Sequence, residues 1–485
     1  MRGLMLLFLL LAPAPTSASA TAWEVGAAPS TRKLLPAAGV PSAQTVQVAA
    51  ARNEWEGFQI AMRGAAATTD VNVKLSDLCR AGGSPCIKAS TARLYRQIYL
   101  DIKLPSQMGV PLHERKAGLY PDPLLPFTDP YKSGDVPVGA PFTLKAGELG
   151  AVFVDLYVPE KASPGLYTAT ATVSASGQSP VSIIVQLEVW DLTLPRARNI
   201  ATAFGFSESG VRHYHGGSAK DPAAGYQTIV DRYYACLHEH RIDPTTVSGP
   251  LDFKFDSAGK LLPMEWTAYD KAVAPWLDGS KFGDGVPVTR FNVARFRPGH
   301  GQGSMTAAQW QQGAKVFAEH LKAKGWWDKA YVYGKDEPWL KDADKAYAQI
   351  NKDIDLLFAA SPLWKGKVLI TGPYDTNIDD GKVGIWCPVT PMYDDWFWAW
   401  EPKAGWKEYT ARFNKGEELW FYVCNANFPP YAGYDIDTAM GYEPRIVKWG
   451  TWFERATGFL FWRTNYWVDQ DPWNVWANVK EFTKT

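Results

Sequence analysis

Net charge is what this 485-residue chain most plainly lacks, because 50 Lys and Arg offset 50 Asp and Glu. Without a positive field to hold phosphate backbones, nucleic acid is not an expected partner. No stretch approaches about 20 uninterrupted apolar residues, so no membrane span is expected. No glycine-rich phosphate loop follows the first predicted strand, which weighs against a nucleotide-binding sheet. Internal repeats and low-complexity segments are absent. Histidine is scarce, at 7 residues. His238-Glu239-His240 spaces two of them two apart instead of the four that puts both imidazoles on one metal. We read that segment as a solvated helix terminus and expect neither metal nor organic cofactor.

What is present begins with an export leader over residues 1–20. Arg2 is its charged start, Leu4 to Ala12 its apolar run and Ala18-Ser19-Ala20 its small-residue exit. The mature protein is expected outside the cytoplasm, whether secreted, periplasmic or at the cell surface. Export permits disulfides, and Cys79 and Cys86 flank Gly82, Gly83 and Pro85, a composition that lets the chain turn back on itself. A bridge is expected there. Cys236, Cys387 and Cys424 sit in apolar or aromatic contexts where a buried thiol is the default.

Two textures divide the chain. Residues 21–194 alternate apolar and polar with period two, as in Val152 to Val158 and Val181 to Val189, with turns such as Ser163-Pro164-Gly165 between. That pattern predicts an antiparallel β-sandwich. Residues 195–485 hold 19 of the 22 tryptophans and set helical periods between short apolar runs. Trp310, Ala314, Phe317 and Leu321 share one helical face, as do Tyr347, Ile350, Ile354 and Phe358, and Ile446, Trp449 and Phe453. Strands are predicted at Ala201 to Phe206, Val288 to Val293, Ala330 to Tyr333, Val368 to Thr371, Val383 to Trp386, Leu419 to Val423 and Phe459 to Trp462. The alternation predicts a (β/α)8 TIM-like barrel. A second strand belongs near Arg241 to Val247, where the apolar run is poor. The fold class is thus multidomain β plus α/β.

In a parallel barrel the residues just after each strand form the active face. Here they are Glu208, Asp336-Glu337-Pro338-Trp339, Tyr374-Asp375, Tyr393-Asp394-Asp395-Trp396, Cys424-Asn425 and Asn465-Tyr466-Trp467. Carboxylates, amides and aromatics of this kind suit glycoside hydrolysis, which needs a proton for the leaving oxygen and stabilisation of positive charge at the anomeric carbon. Asp336 and Glu337 supply the pair. Pro338 biases Glu337 towards an extended backbone. Successive strand residues point to opposite faces, so both acids share a pocket only if the strand bulges or ends at Lys335 to Glu337. The end of the seventh strand, where a second carboxylate commonly serves as nucleophile, is empty, since Leu419 to Val423 runs into Cys424-Asn425-Ala426-Asn427. That gap points to a substrate whose own 2-acetamido oxygen attacks. Glu337 is then the general acid and base, and Asp336 steadies the charged ring. Tyr393 and Tyr422 are candidates to hold the acetamido oxygen, with Tyr374, Trp386, Trp462 and Asn465 as further substrate-binding candidates. Two rival readings stand beside this one. The first is a glycan-binding surface protein without turnover, and the second a two-carboxylate glycosidase using Asp375, Asp394 or Asp395 on sugars without an acetamido group.

The run Tyr331-Val332-Tyr333-Gly334-Lys335-Asp336-Glu337-Pro338-Trp339 resembles glycoside hydrolase family 123. Asn53-Glu54-Trp55-Glu56-Gly57-Phe58-Gln59 and Ala162-Ser163-Pro164-Gly165-Leu166-Tyr167 look like that family's N-terminal sandwich. Ile385-Trp386-Cys387-Pro388, Leu419-Trp420-Phe421-Tyr422-Val423-Cys424 and Gly458-Phe459-Leu460-Phe461-Trp462 look like its late barrel strands. The resemblance implies a retaining, substrate-assisted β-N-acetylgalactosaminidase, with Asp336 and Glu337 matching the adjacent catalytic pair. The segment Ala426-Asn427-Phe428-Pro429-Pro430-Tyr431 departs from the family pattern at a loop expected to touch the sugar.

Overall fold

The structure, a computed structural model, describes residues 23–465 apart from 104, 106–115, 133, 137, 216–224, 246, 298–303, 340–341, 394–404, 425–426, 428–430 and 439–440. The leader at 1–20 lies outside the described residues, as do Asp394, Asp395, Trp396, Asn425, Tyr466 and Trp467.

Two sheets face each other in the N-terminal half. One has five antiparallel strands in the order β1 (Trp23–Pro29), β3 (Glu54–Gly64), β10 (Gly150–Val158), β7 (Ala92–Ile102) and β8 (Gly118–Pro126). The other runs β2 (Thr45–Arg52), β12 (Val181–Thr193), β11 (Gly165–Ser174), β4 (Thr68–Leu75) and β9 (Phe142–Leu144), with β5 (Leu78–Arg80) and β6 (Cys86–Ile87) as an appended hairpin. The period-two pattern does its expected work. Along β12, Ile183, Val185, Leu187 and Val189 are buried while the residues between them are exposed, and they meet Phe58, Ile60, Val152 and Val154 of the facing sheet in one core. The expected Cys79–Cys86 disulfide closes the hairpin.

The C-terminal half is a nearly closed parallel barrel. Among the described residues its seven strands run in the order β13 (Ala201–Phe204), β19 (Gly458–Phe461), β18 (Glu418–Tyr422), β17 (Ile385–Cys387), β16 (Val368–Thr371), β15 (Ala330–Asp336) and β14 (Phe291–Asn292). The expected eightfold (β/α) repeat is interrupted at two points. Between β13 and β14 the second strand is reduced to one parallel bridge, Phe204 to Pro244. Arg241, Asp243 and Pro244 offer neither apolar alternation nor, at the proline, a ladder donor. Asp243 fills the gap with its side chain. Its amide takes the Thr202 hydroxyl oxygen as acceptor at 2.7 Å, and its Oδ2 accepts from Thr289 N at 2.8 Å and Thr289 Oγ1 at 2.5 Å. Its Oδ1 pairs with Arg198, both side chains being almost fully buried. The second interruption falls between β16 and β17, where no helix occurs. That connection holds Asp375, Asn377, Asp379 and Gly381, all turn formers, and Asp375 Oδ1 accepts the Asn377 N–H at 2.9 Å.

Among the described residues seven helices pack outside the wall: α1 (Glu208–His215), α2 (Tyr226–Glu239), α3 (Thr267–Asp278), α4 (Ala307–Ala323), α5 (Ala343–Ala360), α6 (Trp406–Phe413) and α7 (Glu443–Phe453). The predicted faces of α4 and α5 are buried. That of α7 is reversed. Ile446, Trp449 and Phe453 are exposed, and Val447 and Thr451, four apart, turn inward instead. The helix carries two apolar stripes, and periodicity alone does not choose between them. His238 corrects another expectation, being buried and not solvated. Its ring stacks on Phe282 at 3.7 Å, with Asp284 2.9 Å from Nε2 and Arg198 2.8 Å from Nδ1.

The sandwich and barrel are tied together at several points. Arg93 of β7 makes a two-pronged ion pair with Glu239 at the end of α2. Lys33 Nζ donates to Ile436 O at 2.6 Å and Thr438 Oγ1 at 3.1 Å, bracing the connection that follows β18.

Candidate active site

Alternation along the strands sorts the barrel's side chains. Tyr331, Leu369, Ile385, Cys387, Trp420, Tyr422 and Leu460 form the interior cluster. Val332, Val368, Ile370, Trp386, Leu419, Phe421 and Phe459 join the layer between wall and helices. By strict alternation Asp336, three residues after the inward Tyr333, faces out. The ladder prevents this. Val332 pairs with Val368 and Tyr333 with Leu369, and then Asp336 pairs with Thr371, so three residues of β15 oppose two of β16. That bulge brings Asp336 level with the inward Thr371.

Glu337 is turned inward by a different device. It lies one residue past the strand with φ 40°, in the left-handed region that non-glycine residues rarely occupy. The expected extended backbone ahead of Pro338 is thus overturned. The distortion is held because Glu337 N–H donates to Thr371 O at 3.0 Å and Thr371 Oγ1 at 3.1 Å.

The two carboxyl groups have separate surroundings. Asp336 Oδ1 accepts from Tyr333 Oη at 2.7 Å and Thr371 Oγ1 at 2.8 Å. The Arg297 guanidinium lies 4.9 Å from the Tyr333 ring centroid, and its Nε donates to Gly334 O at 2.8 Å. Glu337 Oε1 accepts from Tyr422 Oη of β18. Burial pushes the Glu337 carboxyl above the ordinary range; the Tyr422 hydrogen bond opposes this, and the negative charge of Asp336 adds to it. Burial also raises both phenols, which therefore remain protonated donors. One acid prone to keep its proton beside an exposed carboxylate is an arrangement suited to acid–base chemistry.

The remaining predicted residues separate. Tyr422 belongs to the site through Glu337. Trp462 follows β19 on the inward parity of Leu460 and is 52% exposed at the barrel mouth. Tyr393 ends a short 3-10 turn, Thr390–Tyr393, and its side chain lies outside the described residues. Trp386 is corrected: alternation sends it outward between Ile385 and Cys387, where it is buried and donates to Glu417 Oε2 at 2.8 Å. Tyr374 is corrected with it, packing edge-on against Trp386 and under the Arg412 guanidinium. Asn465 is buried, with both ends of its amide engaged by the Ser207 backbone at 2.9 Å, a brace between the ends of β19 and β13. Asp375 is buried in its own turn, where its Oδ1 accepts the Asn377 N–H. Glu208 opens α1, where its Oε1 accepts from Tyr234. Thr371, Tyr333 and Arg297 were not anticipated. Thr371 and Tyr333 end predicted strands, so a survey of residues after each strand passes over them.

The fold has a solved counterpart. A family 123 glycoside hydrolase from Clostridium perfringens, studied for glycolipid glycan hydrolysis, superimposes with a TM-score of 0.66 at 15% identity, covering 93% of this chain and 80% of that one. A Bacteroides ovatus GH5 xyloglucanase reaches a TM-score of only 0.28 at 10% identity, over 87% of this chain and 92% of that one. No curated protein matches in sequence. Residues 300–483, which contain Asp336, Glu337, Thr371 and Tyr422, match the family model described as glycoside hydrolase 123, catalytic domain, and that match supports a glycoside hydrolase.

Proposed function

We propose that the protein is an exported hydrolase of β-linked 2-acetamido sugars, with β-N-acetylgalactosaminides first among them. It acts with retention and with help from the substrate. Glu337 protonates the glycosidic oxygen while the acetamido oxygen attacks the anomeric carbon, so the aglycone leaves as an alcohol and an oxazolinium ion remains. Asp336 accepts a hydrogen bond from the ring N–H and offsets its positive charge. Water then attacks the anomeric carbon and gives its proton to Glu337, which reopens the ring. Two inversions leave the β configuration. Given the Clostridium perfringens enzyme's action on glycolipid glycans, a glycan of that class is the natural substrate we put forward.

One observation carries this reading: adjacent acids reach the same inner face, while β18 ends in Tyr422 where a two-carboxylate enzyme keeps its nucleophile. The acids near that strand, Glu417 and Glu418, lie at its start and are engaged by Arg412 and Arg290. The test is release of 4-nitrophenol from its β-N-acetylgalactosaminide. Glu337→Gln is expected to abolish it, and aryl β-galactosides lacking the acetamido group are expected to be inert. Equal turnover of those galactosides would refute substrate assistance. Glycan binding with no hydrolysis of any aryl hexosaminide would overturn the assigned substrate and chemistry.

A further inference from the structure

Bringing neighbouring residues to one face requires two breaks in a regular strand, and both breaks converge on Thr371. The bulge sets Asp336 opposite Thr371 in the ladder. The Glu337 N–H falls on both the carbonyl and the hydroxyl oxygen of the same residue. That hydroxyl also reaches Asp336 Oδ1 at 2.8 Å and touches Tyr333 Oη at 2.9 Å. Thr371 itself is buried at 1% exposure.

A count of protons restricts the pattern. Each hydroxyl carries one proton and two acceptor sites. Thr371 Oγ1 accepts from Glu337 N–H, which leaves its own proton to give to Asp336. Tyr333, kept protonated by burial, gives its proton to the same oxygen. Two donors converging on Oδ1 fix the rotation of the Asp336 side chain. Among the described residues Oδ2 receives no protein donor, which leaves it to accept from a ligand.

We infer that Thr371, aided by Tyr333, is a positioning residue that sets both acids at once, turning Asp336 Oδ2 towards the substrate's amide N–H and Glu337 towards the leaving oxygen. The inference rests on the roles proposed above for Asp336 and Glu337. A purely structural Thr371 makes a different forecast: its loss lowers stability and leaves the kcat-to-KM balance alone.

Thr371→Val keeps the shape, removes the hydroxyl and spares the carbonyl that holds Glu337 N–H. With a 4-nitrophenyl 2-acetamido glycoside, kcat is expected to fall about 10- to 100-fold, the effect of one lost hydrogen bond to a charged group. KM should change far less than kcat, because the bond from the amide N–H to Asp336 strengthens as positive charge develops on the ring. Thr371→Ser, which restores the hydroxyl, should recover most of kcat. Tyr333→Phe should reproduce the loss, and it serves as the test if the Val protein does not fold. A folded Val variant with wild-type kcat would overturn the inference, as would a folded Ser variant as slow as Val. The two levels separate cleanly. If Asp336→Asn and Glu337→Gln are inactive while Thr371→Val and Tyr333→Phe behave as wild type, only the positioning role fails. If Asp336→Asn remains active on the acetamido substrate, the proposed mechanism fails and the inference with it.

Discussion

Asp243→Ala should destabilise the barrel by about 4 kcal/mol, and the reasoning can be followed bond by bond. The substitution removes the carboxylate partner of Arg198 and leaves a guanidinium whose side chain is 5% exposed. Removing one partner of a buried pair typically costs about 3–5 kcal/mol. Arg198 keeps its Nη2 contacts to His238 Nδ1 at 2.8 Å and His238 O at 3.0 Å, which argues for the low end. Thr289, which is half-buried, then loses the acceptor for both its amide and its hydroxyl, and this adds the low end of the roughly 1–3 kcal/mol that an orphan donor costs. Because the second strand is a single bridge at Pro244, no ladder stands ready to replace these bonds. Urea titration followed by far-UV circular dichroism measures the loss. Asp243→Asn, which keeps an acceptor for Thr289, should lose less. Asp243→Ala combined with Arg198→Met should recover part of the deficit by deleting the stranded charge. A loss under about 1 kcal/mol, or a double variant no more stable than the single, would refute this account of how the barrel closes.

Two further outcomes follow from the site. Tyr422→Phe removes the one hydrogen bond that pulls the Glu337 carboxyl down, while burial and Asp336 still push it up. Glu337 then holds its proton to higher pH, so the basic limb of the kcat/KM profile should move upward; a downward shift in a pH–rate series would contradict the assignment of Glu337 as the acid. The two tryptophans named from the sequence should part company. Trp462→Ala, at the exposed mouth, should raise KM several-fold with little change in melting temperature. Trp386→Ala should lower stability by roughly 3–5 kcal/mol through a cavity behind the wall. Steady-state kinetics and thermal melts on both proteins decide it.

The sandwich was legible because its strands bury one face only, and period two follows directly from that, as in Ile183 to Val189. Most barrel strands were legible as short apolar runs, since both of their faces are covered. The break in the repeat near Asp243 was visible only as a weakness. A strand replaced by side-chain bonds to Thr289 and Arg198 has no hydrophobic pattern to read. Trp386 shows a different failure. Its neighbours Ile385 and Cys387 line the interior, so strand parity sends the indole outward, whereas a search for aromatics near the site weighed residue type over parity. Asp336 and Glu337, the proposed pair, were picked out by their chemistry and their adjacency. Their support was not, because Tyr333 and Thr371 meet Asp336 only through a register shift, and a register shift leaves no mark in composition or spacing.

Adjacency also explains why the strain sits where it does. Two acids separated by one residue would share a face of an undistorted strand, and neither bulge nor left-handed turn would then be needed. Consecutive acids cannot do so, and the parity has to be broken twice within three residues. The bulge between Tyr333 and Asp336 is the inexpensive break, because an extra residue at a strand end disturbs little of the ladder. The left-handed Glu337 is the costly one, on the order of 1–3 kcal/mol for a non-glycine residue. It persists because Thr371 supplies two acceptors to its N–H and Tyr422 holds its carboxyl. Glycine at this position would relieve the backbone and delete the acid. The strain therefore falls on Glu337 because the residue that must turn is also the one that carries the proton in the proposed mechanism.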